Sequence, residues 1–272
     1  MLEKIVSNAP VFLLIAARCF ATLMTLPLLS AKTVPRMAKV ALAGYMAFFI
    51  FGQVSLNSGV YSAYRSYISP TGNFNLDFVF LVAGEVLIGL IMGFFVQIIF
   101  SAVSTAGQFF SFQMGFSASE VYDSLSQVEN PLMGQFFNFI AMLVFLQNNW
   151  LQRLFIEGLQ QSFYSLNTFS ILNHTDYMGR FMLKSLTILF RDALMIALPI
   201  MGSLFLINVT VGILSKAAPQ MNLLSEGFPI LMLTSFFLIF ILIPSFMEFF
   251  TSTFTAGFEY IGKMLTDFGG AK

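Results

Sequence analysis

Acidic side chains concentrate in one short stretch of this chain. Glu120 and Asp123 stand three residues apart, and Glu129 follows them. Paired carboxylates can do general acid–base chemistry, but a catalytic pair needs a base, a nucleophile or a metal set beside it. The sequence has no H-E-x-x-H, G-x-S-x-G or P-loop motif to supply one. A solvated acidic loop is the better interpretation, and we predict no enzyme activity.

The residues that bind metals are scarce. His174 is the single histidine, and a histidine-based metal site normally combines several nitrogen or sulfur ligands. Cys19 is the single cysteine, so no disulfide can form within the chain. We therefore predict neither a metal site nor another cofactor.

Two ionisable residues stand inside apolar runs and are expected to be buried. An ionisable group at membrane depth is costly and usually faces protein or water. Arg18 either pairs with a partner chain or reaches the interface along a tilted helix. Glu85 either faces protein or marks a helix start at the interface, where negative charge is favoured. The residues themselves leave these alternatives open.

The composition indicates an integral membrane protein. Of 272 residues, 57% are hydrophobic and 10% are charged, whereas a soluble domain carries about 25% charged residues. Lipid or other protein chains must therefore cover much of the surface. Thirteen basic residues balance thirteen acidic ones, which argues against nucleic acid as the main partner.

Six apolar segments are candidate membrane helices, because a span needs about 20 mostly apolar residues. We therefore predict an all-α membrane fold. The positions of Lys and Arg do not fit six simple alternating spans. The basic loop at 30–39 should be cytoplasmic, but alternation would then place fewer Lys and Arg on the cytoplasmic side of the membrane than on the opposite side. The segments are 9–29, 40–54, about 78 to 119, 130–152, 193–215 and 227–247.

Small residues recur along the third segment. Gly89 and Gly93 form a G-x-x-x-G pattern, with Gly84 before it and Gly107 after it. Small residues allow helices to approach closely in lipid, so we expect these four glycines to be helix-packing positions.

Phenylalanine and methionine concentrate after Gly107, in the run FFSFQMGFSASEVYD. One interpretation is an interfacial aromatic belt, although such belts favour Trp and Tyr. The other is a loop held inside protein at membrane depth, where a hydrophobic constriction can gate a pore by excluding water. The residues concerned are Phe109, Phe110, Phe112, Met114, Gly115 and Phe116.

The connector AAPQMNLLSEGFP joins the fifth and sixth segments, which should form an antiparallel hairpin. Pro219 ends or kinks the fifth helix, Gly227 supplies backbone freedom, and Pro229 suits the first turn of the sixth helix. The amides of Gln220 and Asn222 either cap helix ends or bind other chains.

Three runs carry a family pattern. The run LSKAAPQMNLLSEGFP at 214–229 contains A-P-Q-x-N-x-x-x-x-G-F-P, and 84–117 contains GEVLIGLIMGFF followed by AGQFFSFQMGFS. Arg18 and Pro27 precede VPRMAK at 34–39. These runs resemble the FliR/SctT family of flagellar type III export-gate proteins, with agreement along essentially the whole chain. The injectisome paralogue shares A-P-Q-x-N, whereas the Gly-Phe-Pro ending favours the flagellar branch.

The resemblance implies a single membrane domain over 1–272, with a FliP-like part at about 1–185 and a FliQ-like helical hairpin at about 186–272. It implies a helical gate assembled with FliP and FliQ in the bacterial inner membrane, at the flagellar basal body. That assembly is raised out of the bilayer plane, so predicted spans would face other subunits. The uneven distribution of Lys and Arg would then be expected.

The resemblance also implies roles for two segments. Residues at about 109–122 match the family's plug inside the pore, and the turn at 217–229 matches the cytoplasmic entrance where FlhB docks. The implied docking residues are Pro219, Gln220, Asn222, Gly227, Phe228 and Pro229.

The implied mechanism is passive gating of a channel for unfolded flagellar subunits. The energy would come from proton-motive force through FlhA, assisted by an ATPase complex. Two alternatives are the injectisome paralogue and a self-contained six-helix transporter. A transporter would place polar groups on several helices around one site, whereas these helices are rich in Phe and Leu.

Overall fold

The computed structural model describes residues 5–6, 8–30, 34–54, 59–68, 75–114, 132–217 and 227–269. Every element within these ranges is helical, so the all-α prediction is confirmed. In chain order the elements are α1 (Ala9–Thr25), α2 (Pro27–Ser30), α3 (Arg36–Phe51), a 3₁₀ segment (Val60–Tyr64), α4 (Leu76–Met114), α5 (Leu132–Gln147), α6 (Trp150–Arg153), a π-helical segment (Leu154–Gln160), α7 (Gln161–Ser165), α8 (Thr168–Asn173), α9 (Thr175–Ala217) and α10 (Phe228–Gly269).

Within the described ranges, three helices are long and apolar enough to cross a membrane: α4 with 39 residues, α9 with 43 and α10 with 42. Each of the six predicted apolar segments overlaps one of the helices. The 17 residues of α1 and the 16 residues of α3 and of α5 extend only about 24–26 Å at 1.5 Å per residue. That length is less than the hydrocarbon core of about 30 Å, so the six segments are not six equal spans.

Prolines mark the boundaries of the short helices. Helix α1 ends at Thr25, and the next residue, Leu26, has an extended backbone (φ −67°, ψ 128°), because a residue before proline disfavours the α conformation. Pro35 stands at the cap of α3. By contrast, Pro199 and Pro244 lie inside α9 and α10, which continue past them. Membrane helices tolerate such prolines where neighbouring groups satisfy the freed backbone.

The chain falls into two compact units. The first contains Met1–Ile98, Asn149–Ser185 and Thr255–Lys272, and the second contains Ile99–Asn148 and Leu186–Phe254. The long helices α4, α9 and α10 contribute residues to both units. The division into FliP-like and FliQ-like parts stays a prediction.

In the first unit, glycines bring α4 onto α1. A Cβ atom added to Gly89 would lie 2.5 Å from the carbonyl oxygen of Arg18 and 2.8 Å from the Cβ of Ala21. A Cβ atom on Gly93 would overlap the side chain of Thr25. No larger residue fits at either position without moving the backbone of α1, so the G-x-x-x-G pattern sets the distance between these helices.

In the second unit, α4 and α5 also meet at glycines. A Cβ atom on Gly107 would lie 2.5 Å from the Cα of Gly134. Phenylalanine rings pack beyond this crossing: the ring centroids of Phe110 and Phe137 are 5.0 Å apart, and those of Phe137 and Phe246 are 5.3 Å apart. Such edge-to-face pairs are favourable beyond the area that they bury.

The prediction of a loop from Phe109 onward is wrong for residues 109–114. Helix α4 continues without interruption to Met114, so the residues at 109–114 are helical. The structural reason is packing: Phe110 and Met114 stand one helical turn apart and are both fully buried, which favours continuation of the helix. Residues 115–131 lie outside the described part of the chain.

Candidate functional site

The most polar buried cluster in the first unit forms around Arg18 and Glu85. The Nε atom of Arg18 donates to Oε2 of Glu85 at 2.6 Å, and Nη2 donates to Oε1 at 3.0 Å. Both side chains are fully buried. This bidentate geometry gives the strongest type of side-chain hydrogen bond, because both partners are charged and their planes match. Arg18 therefore pairs within its own chain.

The remaining donors of Arg18 bind the chain that follows the π-helical segment. Its Nη1 donates to the carbonyl oxygen of Ser162 at 2.8 Å and lies 3.1 Å from Ser162 Oγ. Its Nη2 also donates to the carbonyl oxygen of Leu166 at 3.0 Å. A guanidinium carries five N–H donors, and these contacts engage all of them.

Two tyrosines of the 3₁₀ segment complete the shell around the carboxylate. The hydroxyl of Tyr61 donates to Oε2 of Glu85 at 2.7 Å, and the hydroxyl of Tyr64 donates to Oε1 at 2.7 Å. Tyr64 also accepts from the backbone N–H of Thr168 at 2.6 Å. A Cβ atom on Gly84 would overlap the Thr168 side chain, so Gly84 allows α8 to approach.

Aromatic faces surround the guanidinium. The Cζ atom of Arg18 lies 4.3 Å from the ring centroid of Phe163 and 5.9 Å from that of Tyr61. The rings of Tyr61 and Tyr64 meet edge-on, 4.9 Å between centroids. A cation over an aromatic face is attracted by the ring quadrupole, more strongly where water is excluded.

The tyrosine hydroxyls are held in their neutral form. Burial raises the pKa of Tyr61 well above its ordinary value, with the Arg18 charge opposing the shift and Glu85 adding to it. Burial and the Glu85 carboxylate raise the pKa of Tyr64. Both hydroxyls therefore remain protonated donors at neutral pH, as the carboxylate between them requires.

The cluster ties four parts of the first unit together rather than presenting a reactive group. Arg18 comes from α1, Glu85 from α4, the tyrosines from the 3₁₀ segment, and the other partners from 162–168. A buried charge is tolerated when it is paired and its hydrogen bonds are satisfied. With every donor and both carboxylate oxygens occupied, this arrangement can position segments but offers no free acid, base or nucleophile.

Sequence reasoning found the two charges but not their partners. Arg18 and Glu85 are separated by 67 positions, and Arg18 and Ser162 by 144. One local signal was available: Tyr61 and Tyr64 stand three residues apart, which places two hydroxyls on one side of a short helix. That spacing allows the two hydroxyls to bind one partner, but it neither requires a shared partner nor identifies Glu85.

The implied plug residues lie partly in the second unit and partly outside the described chain. Phe110 and Met114 are fully buried, whereas Phe112 in the same helical turn is 75% exposed. Phe109 lies in the same helix. Gly115 and Phe116 lie outside the described residues.

The implied docking turn lies mostly outside the described residues. Helix α9 ends at Ala217 and α10 begins at Phe228. Pro229 therefore stands in the first turn of α10, the position predicted for it, where its missing N–H is not needed. Pro219, Gln220 and Asn222 fall between the two helices, outside the described residues.

Comparisons with known proteins give the same kind of match along nearly the whole chain. The model of the family "Bacterial export proteins, family 1" matches residues 9–257. The chain is 26% identical to the flagellar biosynthetic protein FliR of Bacillus subtilis over 266 residues, covering 97% of this chain and 98% of the relative. It is 28% identical to FliR of Escherichia coli over 257 residues, covering 92% and 90% respectively.

A third relative has a different name. The surface presentation of antigens protein SpaR of Shigella sonnei is 30% identical over 162 residues, covering 60% of this chain and 62% of the relative. The family model spans nearly all the described helices, from the start of α1 into α10. This chain belongs to family 1 of the bacterial export proteins.

Proposed function

We propose that this chain is a membrane subunit of the flagellar type III protein export apparatus. In this role it forms part of the wall of a channel through which unfolded flagellar subunits leave the cell, and flagellum assembly requires it. The observation that carries the proposal is the match to the FliR of Bacillus subtilis over nearly the full length of both chains. The three long apolar helices support a place in the inner membrane at the basal body.

The partners that we propose are FliP and FliQ in the gate, FlhB at the entrance and FlhA as the energy-coupling component. Exposed apolar surface on the long helices of the second unit supports the need for neighbours. Phe205 and Leu206 on α9, and Phe240 on α10, expose most of their side chains. Large apolar side chains exposed along membrane-length helices require lipid or another protein to cover them.

Within that channel, the end of α4 and the residues after it would act as the plug. Exposed Phe112 supports this role, because its ring is available to a pore while Phe110 and Met114 anchor the helix beneath it. The turn before Phe228 would bind FlhB through Gln220 and Asn222. The chain itself would gate passively and carry out no chemical reaction.

Native mass spectrometry of the assembled complex tests the proposal. The tagged chain is expressed with its neighbouring export genes and purified in mild detergent. A large complex containing this chain with several copies of two small membrane proteins is expected. A monomer or a homo-oligomer, under conditions that preserve such complexes, would contradict it and favour the six-helix transporter.

The injectisome paralogue is a second candidate, supported by the match to SpaR. Deleting the gene distinguishes the two. Loss of secreted hook and filament proteins and loss of swimming support the flagellar role. Loss of virulence-type effector secretion with normal swimming supports the injectisome role.

A further inference from the structure

An elongated apolar groove lies in the first unit, between α4 and residues 168–182. Its volume is about 880 Å³, within the range of about 300–1,000 Å³ that is usual for small-molecule sites. The helix positions that line it repeat every three or four residues, so each helix presents one stripe to the groove. The lining includes Phe80, Leu87, Leu90, Phe94, Leu172 and Met182.

The groove is open at the protein surface. Phe80 and Leu172 are each more than 60% exposed, and Leu87 and Leu90 are more than 40% exposed. Large apolar side chains that line a concave surface at this exposure need an apolar occupant. In a membrane protein, two occupants are available: a lipid chain or a helix from another subunit.

The dimensions favour a lipid chain. Asp77 and Phe94 line the groove from one helix, and the 17 positions between them correspond to about 26 Å at 1.5 Å per residue. A volume of about 880 Å³ over that length gives a mean cross-section of roughly 35 Å². A helix about 10 Å across occupies roughly 80 Å², so the groove can enclose an extended acyl chain but is too narrow to enclose a helix.

Charge favours one class of headgroup. Asp77 stands in the first turn of α4, is exposed, and is the one charged side chain among the described residues that line the groove. Tyr67 and Thr175 bring hydroxyl groups to the same groove. The carboxylate attracts an ammonium group and repels a purely anionic headgroup, and the neutral hydroxyls can accept hydrogen bonds from the ammonium.

We propose that this groove binds an acyl chain of a membrane phospholipid that carries a primary ammonium headgroup, with the ammonium beside Asp77. The site is independent of the export role proposed above, because it requires only that the chain resides in a bilayer. A bound lipid of this kind fills the gap between α4 and 168–182 and excludes water from it.

Gly179 provides a test that leaves the fold intact. It lines the groove, and a Cβ atom added there meets no atom within 4 Å. Gly179→Leu therefore places a side chain into the groove without a backbone clash. Gly262→Leu is the matched control, because Gly262 also lies on an exposed helix position of the first unit with open space around its Cβ and does not line the groove.

The first measurement is native mass spectrometry of the complex that contains this chain, with the phospholipid bound to the chain identified by dissociation. The wild type and Gly262→Leu are expected to retain phosphatidylethanolamine, and Gly179→Leu is expected to lose it by roughly tenfold, since filling the groove excludes the acyl chain. Equal lipid retention in all three, or no lipid in the wild type, overturns the proposal.

The second measurement tests the headgroup with vesicles of defined composition. Reconstituted wild type is expected to enrich phosphatidylethanolamine over phosphatidylglycerol at the groove, reported by a photo-cross-linking residue at Leu87. Asp77→Asn is expected to reduce that preference by roughly threefold, whereas Asp176→Asn, a first-turn acid that does not line the groove, leaves it unchanged. Capture of a protein subunit instead of lipid at Leu87 overturns the proposal.

Discussion

Both carboxylate oxygens of Glu85 accept hydrogen bonds from the guanidinium of Arg18, a residue 67 positions earlier in the chain. The pair joins α1 to α4 at the level where Gly89 allows those helices to touch. Because both charges are fully buried, either one is costly without the other. The pairing therefore predicts that replacing one of the two residues and replacing both have different effects on stability.

Removing one partner of this pair should be severely destabilising. Glu85→Ala leaves a buried guanidinium without its counter-charge, at a cost of about 3–5 kcal/mol. We expect a lower melting temperature in detergent and less accumulated protein. Asp176→Ala, which breaks the exposed Asp176–Arg180 pair, is the control and should change little.

The double variant Arg18→Met with Glu85→Leu separates charge from packing. Apolar replacement of a whole buried pair is often neutral, so this variant should be more stable than Glu85→Ala alone. If the double variant is less stable than Glu85→Ala, the two residues do not stabilise the fold by compensating each other's buried charge.

The two buried tyrosines predict a loss of stability in alkaline solution. Their pKa values are raised in the folded state, so above the unfolded value of about 10 the unfolded chain releases protons that the folded chain retains. The free energy of unfolding therefore falls as pH rises above about 10. Below that pH the stabilising contribution of the two tyrosines is fully present. Melting temperatures between pH 8 and 11 measure this fall.

Phenylalanine variants provide the control for that pH dependence. The double variant Tyr61→Phe with Tyr64→Phe should be less stable at pH 8, because Glu85 loses two donors worth about 1.5–3 kcal/mol each. Its melting temperature should decline less steeply above pH 10. An equally steep decline of the melting temperature would show that other groups cause the loss of stability in alkaline solution.

Glycine substitutions test the contact between α1 and α4. Gly89→Ala places a methyl group against the backbone of α1, so we expect a lower melting temperature by the overpacking cost of about 1–3 kcal/mol. Gly44→Ala in α3 meets no atom within 4 Å and should be neutral or stabilising, because alanine favours a helix over glycine. Similar effects at both positions would contradict a packing role for Gly89.

The end of α4 allows the proposed plug to be tested apart from the fold. Phe112→Ala removes an exposed ring, so the complex should assemble normally while the membrane becomes leaky to ions, measured by conductance across a bilayer. Phe110→Ala removes a buried ring instead and should destabilise the chain by about 3–5 kcal/mol. Phe240→Ala, another exposed ring, is the control.

Unchanged conductance in Phe112→Ala would contradict its proposed place in the plug. A leak in Phe240→Ala of the same size would show that any lost aromatic surface opens the membrane. In either case the export role is tested separately, by the composition of the purified complex.

Local chemistry made the helices predictable. The apolar runs located α1 and α3 to within a few residues at each end. The helix-packing role of Gly89 and Gly93 also follows from sequence, because G-x-x-x-G has a physical meaning in any membrane helix. These features depend on neighbours along the chain.

The buried cluster was less predictable because its members are distant in sequence. Arg18 was recognisable as a buried charge, but its partner could lie on any segment or on another chain. The start of the predicted loop was misplaced for a related reason: the mixed aromatic and polar composition after Gly107 suggests irregular backbone, whereas burial of Phe110 and Met114 sustains the helix. Periodicity across 107–114 indicated this more clearly than composition did.

The 39 residues of α4 have a consequence for membrane placement. At 1.5 Å per residue the helix is about 58 Å long, nearly twice the hydrocarbon thickness of about 30 Å. Tilting is a modest adjustment, with an average of about 20°, and it cannot absorb such a hydrophobic mismatch. The excess of roughly 28 Å must therefore be covered by protein, and lipid thickness cannot define where this helix sits.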